Sequence, residues 1–336
     1  MMRLSKMIAL ILLSLSFVPL ASAKITAQQV AIVVNSEDAD SQLIADYYQK
    51  KRGIPQQNII KVSMASGKNS IGEDKFTEIY RQVLEQTPDS VQYYVLAWSK
   101  PFKVACMSMT AAFAFGFDRS YCAKGCKPTR MSSYYNSDSE LPSDELSIRP
   151  TMMLAGSSLH QVYGMIDRGV AADGSHPQAT AYLMNTSDKA RKVRSRRYRV
   201  IKELLSGQIN IEQIDADVLE DKDDVMFYFT GLKKVMSIES NRYLPGAIAD
   251  HLTSSGGNLF GSKQMSLLRW LDAGATASYG TVVEPCAFTQ KFPNPGIVIE
   301  RYTNGESLIE AYWKSVAWPG QGLFVGEPMA SPYALE

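Results

Sequence analysis

Short apolar runs alternate with amphipathic segments along the first part of the chain. The run "QVAIVVNS", residues 29–36, is rich in β-branched side chains and predicts a buried strand. Residues 43–48 repeat apolar side chains at helical spacing, and Gly53 predicts where that helix ends. "NIIKVSM", residues 58–64, predicts a second strand. The order indicates a β-α-β unit, in which the two strands run parallel and the crossover is right-handed.

The same rhythm continues through a helix at 74–86 and a strand at 91–98, which predicts an open parallel sheet with helices on its faces. The turn after the first strand reads "NSEDADS" and holds no Gly-x-Gly-x-x-Gly motif. An acidic turn without glycine disfavours the close approach of a dinucleotide's pyrophosphate. The sequence therefore predicts no nucleotide, and we expect no other cofactor and no metal site.

Residues 103–190 interrupt the rhythm, because they are rich in Ser, Tyr, Pro and Cys and show weak periodicity. We expect a loop-rich insertion there, with a helical pattern at 156–173. After Val200 the alternation returns, and the apolar runs that follow predict strands at 224–231, 246–257, 275–283 and 323–328, with a helix at 263–274. The mature chain, 24–336, is thus expected to form a single α/β domain. Its predicted class is a three-layer αβα fold with a mainly parallel, flavodoxin-like sheet and a loop-rich insertion.

The amino-terminal residues have the features of an export signal. Arg3 and Lys6 supply a charged start, residues 8–20 are mostly apolar, and "ASA" at 21–23 is a small-x-small cleavage site. The apolar part is shorter than the roughly 20 residues that a membrane span needs. We therefore predict a signal peptide at 1–23 and a mature protein that is periplasmic or secreted, with no membrane span after signal removal.

The balance of charge excludes a dedicated nucleic-acid binder, because 35 Lys and Arg residues face 34 Asp and Glu residues. One local exception is "KARKVRSRRYR", residues 189–199. It is interpreted either as the solvated face of a helix or as a patch for an anionic ligand. The four cysteines suit an oxidising compartment. A local bridge between Cys122 and Cys126 is plausible from their spacing, although four cysteines allow three pairings.

Chemistry is expected where the strands end, because ligands of doubly wound sheets bind outside the carboxyl ends of the strands. The relevant ends lie near Gly231, Ser254, Cys286 and Glu327. If the strands are neighbours, six residues could share one rim, namely Asp250, His251, Ser254, Ser255, Glu284 and Cys286. A Cys-His pair suits nucleophilic catalysis, since imidazole activates the thiolate.

Each of these residues also has a structural interpretation. His251 can be a core histidine whose ring is satisfied by backbone, and Cys286 can be a small buried residue or half of a disulfide. Asp250 cannot readily orient the adjacent His251, since successive strand side chains point to opposite faces, so Glu284 is the better orienter. The "SSGG" stretch, 254–257, lacks the Gly-x-Ser-x-Gly motif and is more simply a turn whose glycines allow positive φ.

Over nearly all of its mature length, the chain resembles a family of exported bacterial proteins of uncharacterised function. The resemblance rests on "VVNSEDADSQLIADYYQKKRGIP", "IDRGVAADG", "PGAIADHLTSSGG", "WLDAGATASYGTVVEPC" and "GLFVGEPMASPY". It implies export, but no activity.

The order of elements in the last third is similar to that of gingipain-type and other caspase-like cysteine peptidases. In that group a catalytic His-Gly follows one strand and a catalytic Cys-x-Gly follows the next. Those places fall here on Thr230-Gly231 and on Ser254 or Ser255. The resemblance implies a caspase-like fold, on which His251 and Cys286 would have to supply a rearranged catalytic pair.

Two functions stay open at this point. In the first, the protein is a hydrolase of peptide or acyl bonds, with Cys286, Ser254 or Ser255 as nucleophile, His251 as base, and Glu284 or Asp250 as orienter. In the second, it is a non-catalytic binding or assembly protein. That protein would use the same strand-end cleft and the tyrosine-rich segment near Tyr134 and Tyr135 to hold a peptide or another exported protein.

Overall fold

A computed structural model describes residues 25–123, 125–261 and 263–335 of the chain. The predicted signal peptide, residues 1–23, lies outside them. The strands are β1 (Val30–Asn35), β2 (Ile59–Val62), β3 (Ser70–Ile71), β4 (Tyr93–Leu96), β5 (Lys103–Val104), β6 (Met107–Ser108), β7 (Thr151–Met153), β8 (Thr180–Met184), β9 (Asn210–Ile214), β10 (Val225–Thr230), β11 (Tyr243–His251), β12 (Ala277–Thr281) and β13 (Gly322–Gly326). The α-helices are α1 (Ala39–Arg52), α2 (Glu73–Gln86), α3 (Met109–Phe115), α4 (Pro142–Leu146), α5 (Leu159–Ala172), α6 (Tyr198–Leu205), α7 (Leu268–Asp272), α8 (Pro295–Thr303) and α9 (Leu308–Lys314).

Ten of these strands form one sheet in the order β2-β1-β4-β7-β13-β12-β11-β10-β8-β9, and β3, β5 and β6 form a small separate sheet. Most neighbouring pairs in the large sheet are parallel. Helix α5 packs against both α1 and α7, and helix α8 packs against both α6 and α9. The predicted class, an αβα fold with a mainly parallel sheet, is confirmed.

The central strands are covered on both faces, which explains their sequence pattern. Every residue of β4, β8, β10, β12 and β13 is buried. A strand that is buried on both sides gains from apolar residues at every position, so it is continuously apolar instead of alternating. The core between sheet and helices holds the large side chains of Trp98, Trp270 and Trp313, all fully buried.

Helix α1 shows how the sequence sets the boundaries of an element. It begins after Asp38, whose carboxylate accepts hydrogen bonds from the backbone N–H groups of Asp40 and Ser41. It ends at Gly53, which has φ +65° and whose N–H bonds the carbonyl of Gln49. This left-handed conformation favours glycine, so the predicted end at Gly53 is confirmed.

The loop-rich insertion is shorter than the sequence predicts. Strand β7 pairs with β4, and β8 lies between β9 and β10, so both belong to the main sheet although they fall within 103–190. The irregular part is confined to the stretch between α3 and β7. Strands of three and five residues are too short to give a periodic signal, which is why β7 and β8 are missed from the sequence alone.

Strand β13 runs against its neighbour β12, with Thr281 opposite Gly322. Its carboxyl end therefore lies beside the start of β12, where the N–H of Glu327 is 3.3 Å from the carbonyl oxygen of Thr276. The strand end near Glu327 therefore does not join the rim of Ser254 and Cys286, because an antiparallel strand ends at the opposite edge. Glu327 is buried there and forms an ion pair of 2.5 Å with Arg52.

Candidate functional site: the strand-end rim

The loops that follow β10, β11 and β12 meet at one edge of the sheet, here called the strand-end rim. Strands β10 and β11 are parallel, with Thr230 opposite His251, and β11 is parallel to β12. Their carboxyl ends therefore lie side by side. The sequence predicts this neighbourhood correctly, but the structure assigns most of the expected catalytic residues to other tasks.

His251 ends β11 with its ring buried beneath the rim. Its Nδ1 accepts a hydrogen bond of 2.9 Å from the indole N–H of Trp270, and its Nε2 lies 3.1 Å from the carbonyl oxygen of Met265. The indole donor makes Nδ1 the acceptor, so Nε2 carries the proton and donates to Met265. Burial lowers the pKa of His251 to about 4, although the Met265 hydrogen bond opposes that change. The ring is thus neutral at pH 7 and has no free lone pair with which to activate a nucleophile.

Cys286 forms a disulfide with Cys126, with 5.2 Å between the two Cα atoms. Cys106 and Cys122 form the second disulfide, so the local Cys122–Cys126 pairing is not the one observed. A disulfide sulfur is no thiolate, and the role of Cys286 as nucleophile is corrected accordingly. Of its two interpretations from sequence, half of a disulfide is the one that the structure shows.

Asp250 is also a core residue. Its carboxylate accepts a hydrogen bond of 2.5 Å from the Arg194 guanidinium, and the Tyr312 hydroxyl lies 3.4 Å away. Burial raises the pKa of Asp250, and the Arg194 charge and hydrogen bond oppose that rise. As expected from strand alternation, Asp250 makes no contact with the His251 ring among the described residues. The Arg194–Asp250 ion pair ties the 3-10 helix before α6 to β11.

Ser254, Glu284 and Cys286 do come together, around a small cleft of about 200 Å³ that Arg191 also lines. Within the described part of the chain, neither the Ser254 nor the Ser255 hydroxyl has a hydrogen-bond partner, so no base is placed on either. The Glu284 carboxylate accepts a hydrogen bond of 2.8 Å from the Cys286 backbone N–H. The carboxylate therefore shapes the loop, and it does not orient the His251 ring.

The glycines of "SSGG" serve close packing, and the expected positive φ is absent. Gly256 and Gly257 are missing from the glycines that have left-handed backbone in the described residues. A Cβ atom on Gly257 would lie 2.5 Å from the carbonyl oxygen of Gly280 in β12. The turn therefore needs glycine because it lies directly against the neighbouring strand.

A second, larger opening of about 470 Å³ adjoins the small cleft, and Ala287 lines both. We call it the arginine cleft, because Arg194, Arg196 and Arg197 are its charged lining residues. The remaining lining residues are Tyr135, Val193, Ala287, Phe288, Thr289, Gln290, Phe292, Pro293, Asn294, Pro295, Ser315 and Ala317. Acidic residues are absent from this lining.

The arginines reach the cleft from the basic run at 189–199. It forms a 3-10 helix, Lys192–Arg197, which continues into α6. Arg196 and Arg197 are exposed and form no ion pair with any residue that the structure describes. Arg194 is buried, and its Nε has no partner in the described residues. The run therefore combines exposed basic side chains with one buried arginine, and an anionic ligand for it stays a prediction.

The described residues offer no group of three or more His, Cys, Asp or Glu side chains that could hold a metal ion. Among the same residues, no helix is both long and apolar enough to cross a membrane.

No protein-family model matches this chain, and no curated protein matches it either. Two solved structures are similar in overall arrangement. The complex of Porphyromonas gingivalis RgpB pro- and mature domains has 10% sequence identity and a TM-score of 0.48, over 90% of this chain and 79% of that one. A structure described as a protease has 10% identity and a TM-score of 0.43, over 92% of this chain and 79% of that one. At these values neither similarity carries an argument about chemistry, and membership in an exported family stays a prediction.

The sequence resemblance to gingipain-type peptidases predicts two places for a catalytic pair. They fall at the ends of β10 and β11, which are neighbours as the resemblance implies. Thr230 and Gly231 occupy the first place, and Ser254 or Ser255 occupies the second. A Cβ on Gly231 would clash with the Arg191 carbonyl group, so this glycine is required by packing. No histidine or cysteine stands at either place.

Proposed function

We propose that the protein is an exported, non-catalytic binding protein that holds an acidic peptide segment of a partner in the arginine cleft. The observation that carries the proposal is an opening of about 470 Å³ whose charged lining groups are all guanidinium groups. Guanidinium groups form charge-assisted, bidentate hydrogen bonds with carboxylates, which makes such a cleft selective for anions.

Two of the three arginines are available to a ligand. Arg196 and Arg197 are exposed and unpaired among the described residues, so a ligand carboxylate need not displace an internal partner. Arg194 is held by the Asp250 carboxylate at 2.5 Å and by the Thr230 carbonyl oxygen at 2.7 Å. The Arg194 guanidinium is therefore fixed in the wall of the cleft. Its buried Nε–H has no hydrogen-bond partner among the described residues.

The apolar lining favours a peptide over a simple inorganic anion. Tyr135 and Phe288 contribute aromatic surface, and Phe292 and Pro293 extend the apolar part of the lining. Ligand clefts that combine apolar walls with a few polar anchors hold the body of a ligand and fix its orientation. Tyr135 also supports the earlier suggestion that the tyrosine-rich segment takes part in binding.

The absence of a competent catalytic pair favours binding over hydrolysis. His251 uses both ring nitrogens inside the core, and Cys286 is in a disulfide. A nucleophile needs a base within hydrogen-bond reach, and the described rim residues provide no such pair. The two disulfides agree with an oxidising compartment, as the predicted signal peptide requires.

The proposal is tested by fluorescence anisotropy with a labelled Glu-Glu-Phe-Glu-Glu peptide and its Gln-for-Glu counterpart. The acidic peptide should bind, and the variant Arg196→Met/Arg197→Met should weaken it by at least about tenfold, which is ~1.4 kcal/mol. Arg199→Met is the matched control, because Arg199 lies on the same basic run but pairs with Glu203 outside the cleft. It should leave the affinity within about twofold.

Equal binding of the two peptides, or equal affinity in the double variant and the wild type, would contradict the proposal. Hydrolysis is tested separately, by treating the mature protein with a fluorophosphonate probe and with iodoacetamide. Labelling of Ser254 or Ser255 by the fluorophosphonate would show that the rim is catalytic. Labelling of Cys286 without prior reduction would show that its disulfide to Cys126 is open and its thiol free to react.

A further inference from the structure

A crevice of about 330 Å³ lies at the other half of the sheet. The chain passes from β1 outward to β2 and then returns to β4 on the opposite side of β1. This reversal makes the β1/β4 boundary a topological switch point, where open α/β sheets leave room for a ligand outside the carboxyl ends of the strands. The crevice shares no lining residue with the arginine cleft.

Four strand ends contribute polar groups to this switch-point crevice. Its lining residues are Asp38, Asp40, Ile44, Ser66, Gly67, Trp98, Ser99, Lys100, Gly156, Ser157, Ser158, Leu159, Val162 and Phe260. Several of the polar groups are already engaged: Asp38 caps α1, Ser99 bonds Gly156, and Ser157 bonds Asp272. Few polar side chains of the crevice therefore remain for a ligand, and the charged ones among them decide which ligand can bind.

Besides Asp38, whose carboxylate caps α1, the charged side chains that line the crevice are those of Asp40 and Lys100. The Asp40 carboxylate accepts no hydrogen bond, and Lys100 forms no ion pair, within the part of the chain that the structure describes. Both line the same crevice, and no ion pair joins them among the described residues. An unpaired cation and an unpaired anion that face one small opening can be joined by a ligand that carries both charges.

Further features of the crevice fit the body and the anionic end of such a ligand. Phe260 is 45% exposed, and the Lys100 ammonium lies 4.2 Å from its ring centroid, so an apolar surface adjoins the positive charge. Helix α5 begins at the crevice, and its amino-terminal end adds partial positive charge there.

We propose that the switch-point crevice binds a small zwitterion, a free α-amino acid with an apolar side chain. Its carboxylate would pair with Lys100 and its ammonium with Asp40, while its side chain would lie against Phe260. The inference is independent of the proposed function, because it depends on a different half of the sheet.

Isothermal titration calorimetry on the mature protein tests this with L-leucine, L-phenylalanine, L-lysine and L-glutamate. L-Leucine or L-phenylalanine should bind, and N-acetylation or amidation of the same amino acid should weaken binding by at least about tenfold. Lys100→Met and Asp40→Asn should each give a loss of similar size, since each leaves one ligand charge unpaired.

The matched control is Asp46→Asn/Lys50→Met, which changes exposed charges on the same helix, α1, outside the crevice. It should leave the affinity unchanged, as should Arg196→Met/Arg197→Met. The proposal is overturned if none of the four amino acids binds. It is likewise overturned if the modified amino acids bind as well as the free ones, or if the Lys100 and Asp40 variants keep wild-type affinity.

Discussion

At the scale of single residues, the environment of a side chain decides its chemistry more than its identity does. His251 has a histidine's usual potential as a base, yet a Trp270 donor and a Met265 acceptor occupy both ring nitrogens in the core. Cys286 stands on the rim, yet it is cross-linked to Cys126. The sequence shows which residue types reach the rim, but it does not show which of their polar atoms are already bonded.

The buried His251 should make the protein sensitive to mild acid. Its folded-state pKa of about 4 lies below the value near 6.5 that it has when unfolded, so its stabilising contribution is complete above pH 6.5 and is lost as the pH falls to 4. This difference corresponds to about 3 kcal/mol. Urea unfolding of the wild type and of His251→Gln across this range should show that extra loss in the wild type alone. Parallel pH dependence in the two proteins would contradict a neutral, buried imidazole.

At the scale of elements, one loop lines both the small cleft beside Ser254 and the arginine cleft. Residues 282–291 follow β12, and within them Cys286 and Ala287 have left-handed backbone, with φ of 57° and 55°. Such a conformation is unfavourable for non-glycine residues and persists where surrounding bonds hold it. The disulfide to Cys126 and the hydrogen bond from the Cys286 N–H to Glu284 supply those bonds. The loop then presents Phe288 to the arginine cleft.

The two disulfides should differ in their effects. Cys126→Ser/Cys286→Ser removes a bridge across 160 residues, and Cys106→Ser/Cys122→Ser removes one across 16. Loop-closure entropy gives a loss of about 5 kcal/mol for the first and about 3 kcal/mol for the second. Acidic-peptide affinity should fall only in the first variant, because only that bridge anchors the loop beside the cleft. An equal loss of affinity in both variants would argue against this anchoring role.

The turn at 254–257 should tolerate no side chain where it lies against β12. Gly257→Ala places a methyl group against the Gly280 carbonyl and should cost about 1–3 kcal/mol in the free energy of unfolding. Gly207→Ala is the control, because a Cβ there meets nothing within 4 Å, and its effect should stay within about 0.5 kcal/mol. Similar unfolding midpoints for the two variants would show that this close approach is not rigid.

At the scale of the whole molecule, the αβα fold follows from the sequence because its central strands and long helices have strong patterns. The runs that predict β1, β10 and β12 are apolar and β-branched, and α2 occupies 73–86 where 74–86 is predicted. The short strands β7 and β8 carry too few residues for such a pattern. The direction of β13 depends on pairing between distant segments, which a local pattern does not encode.

The site is less predictable than the fold, for a related reason. The rule that parallel strands end at one edge correctly predicts that Ser254, Glu284 and Cys286 line one cleft. Disulfide partners and core hydrogen bonds join segments far apart in the chain, as Cys126 and Cys286 show. The arginine cleft was signalled only by the basic run at 189–199, whose charges alone do not reveal that Phe288 and Tyr135 complete an opening around them.

The central claim is that this molecule binds an acidic segment in the arginine cleft. Hydrogen–deuterium exchange with and without the Glu-Glu-Phe-Glu-Glu peptide tests it most directly, because the amides that a bound ligand protects locate the site. We expect slower exchange in residues 192–197 and 287–295 of the wild type, and unchanged exchange in both regions for Arg196→Met/Arg197→Met. Protection confined to residues 252–255, or no protection of any segment at saturating peptide, would contradict it.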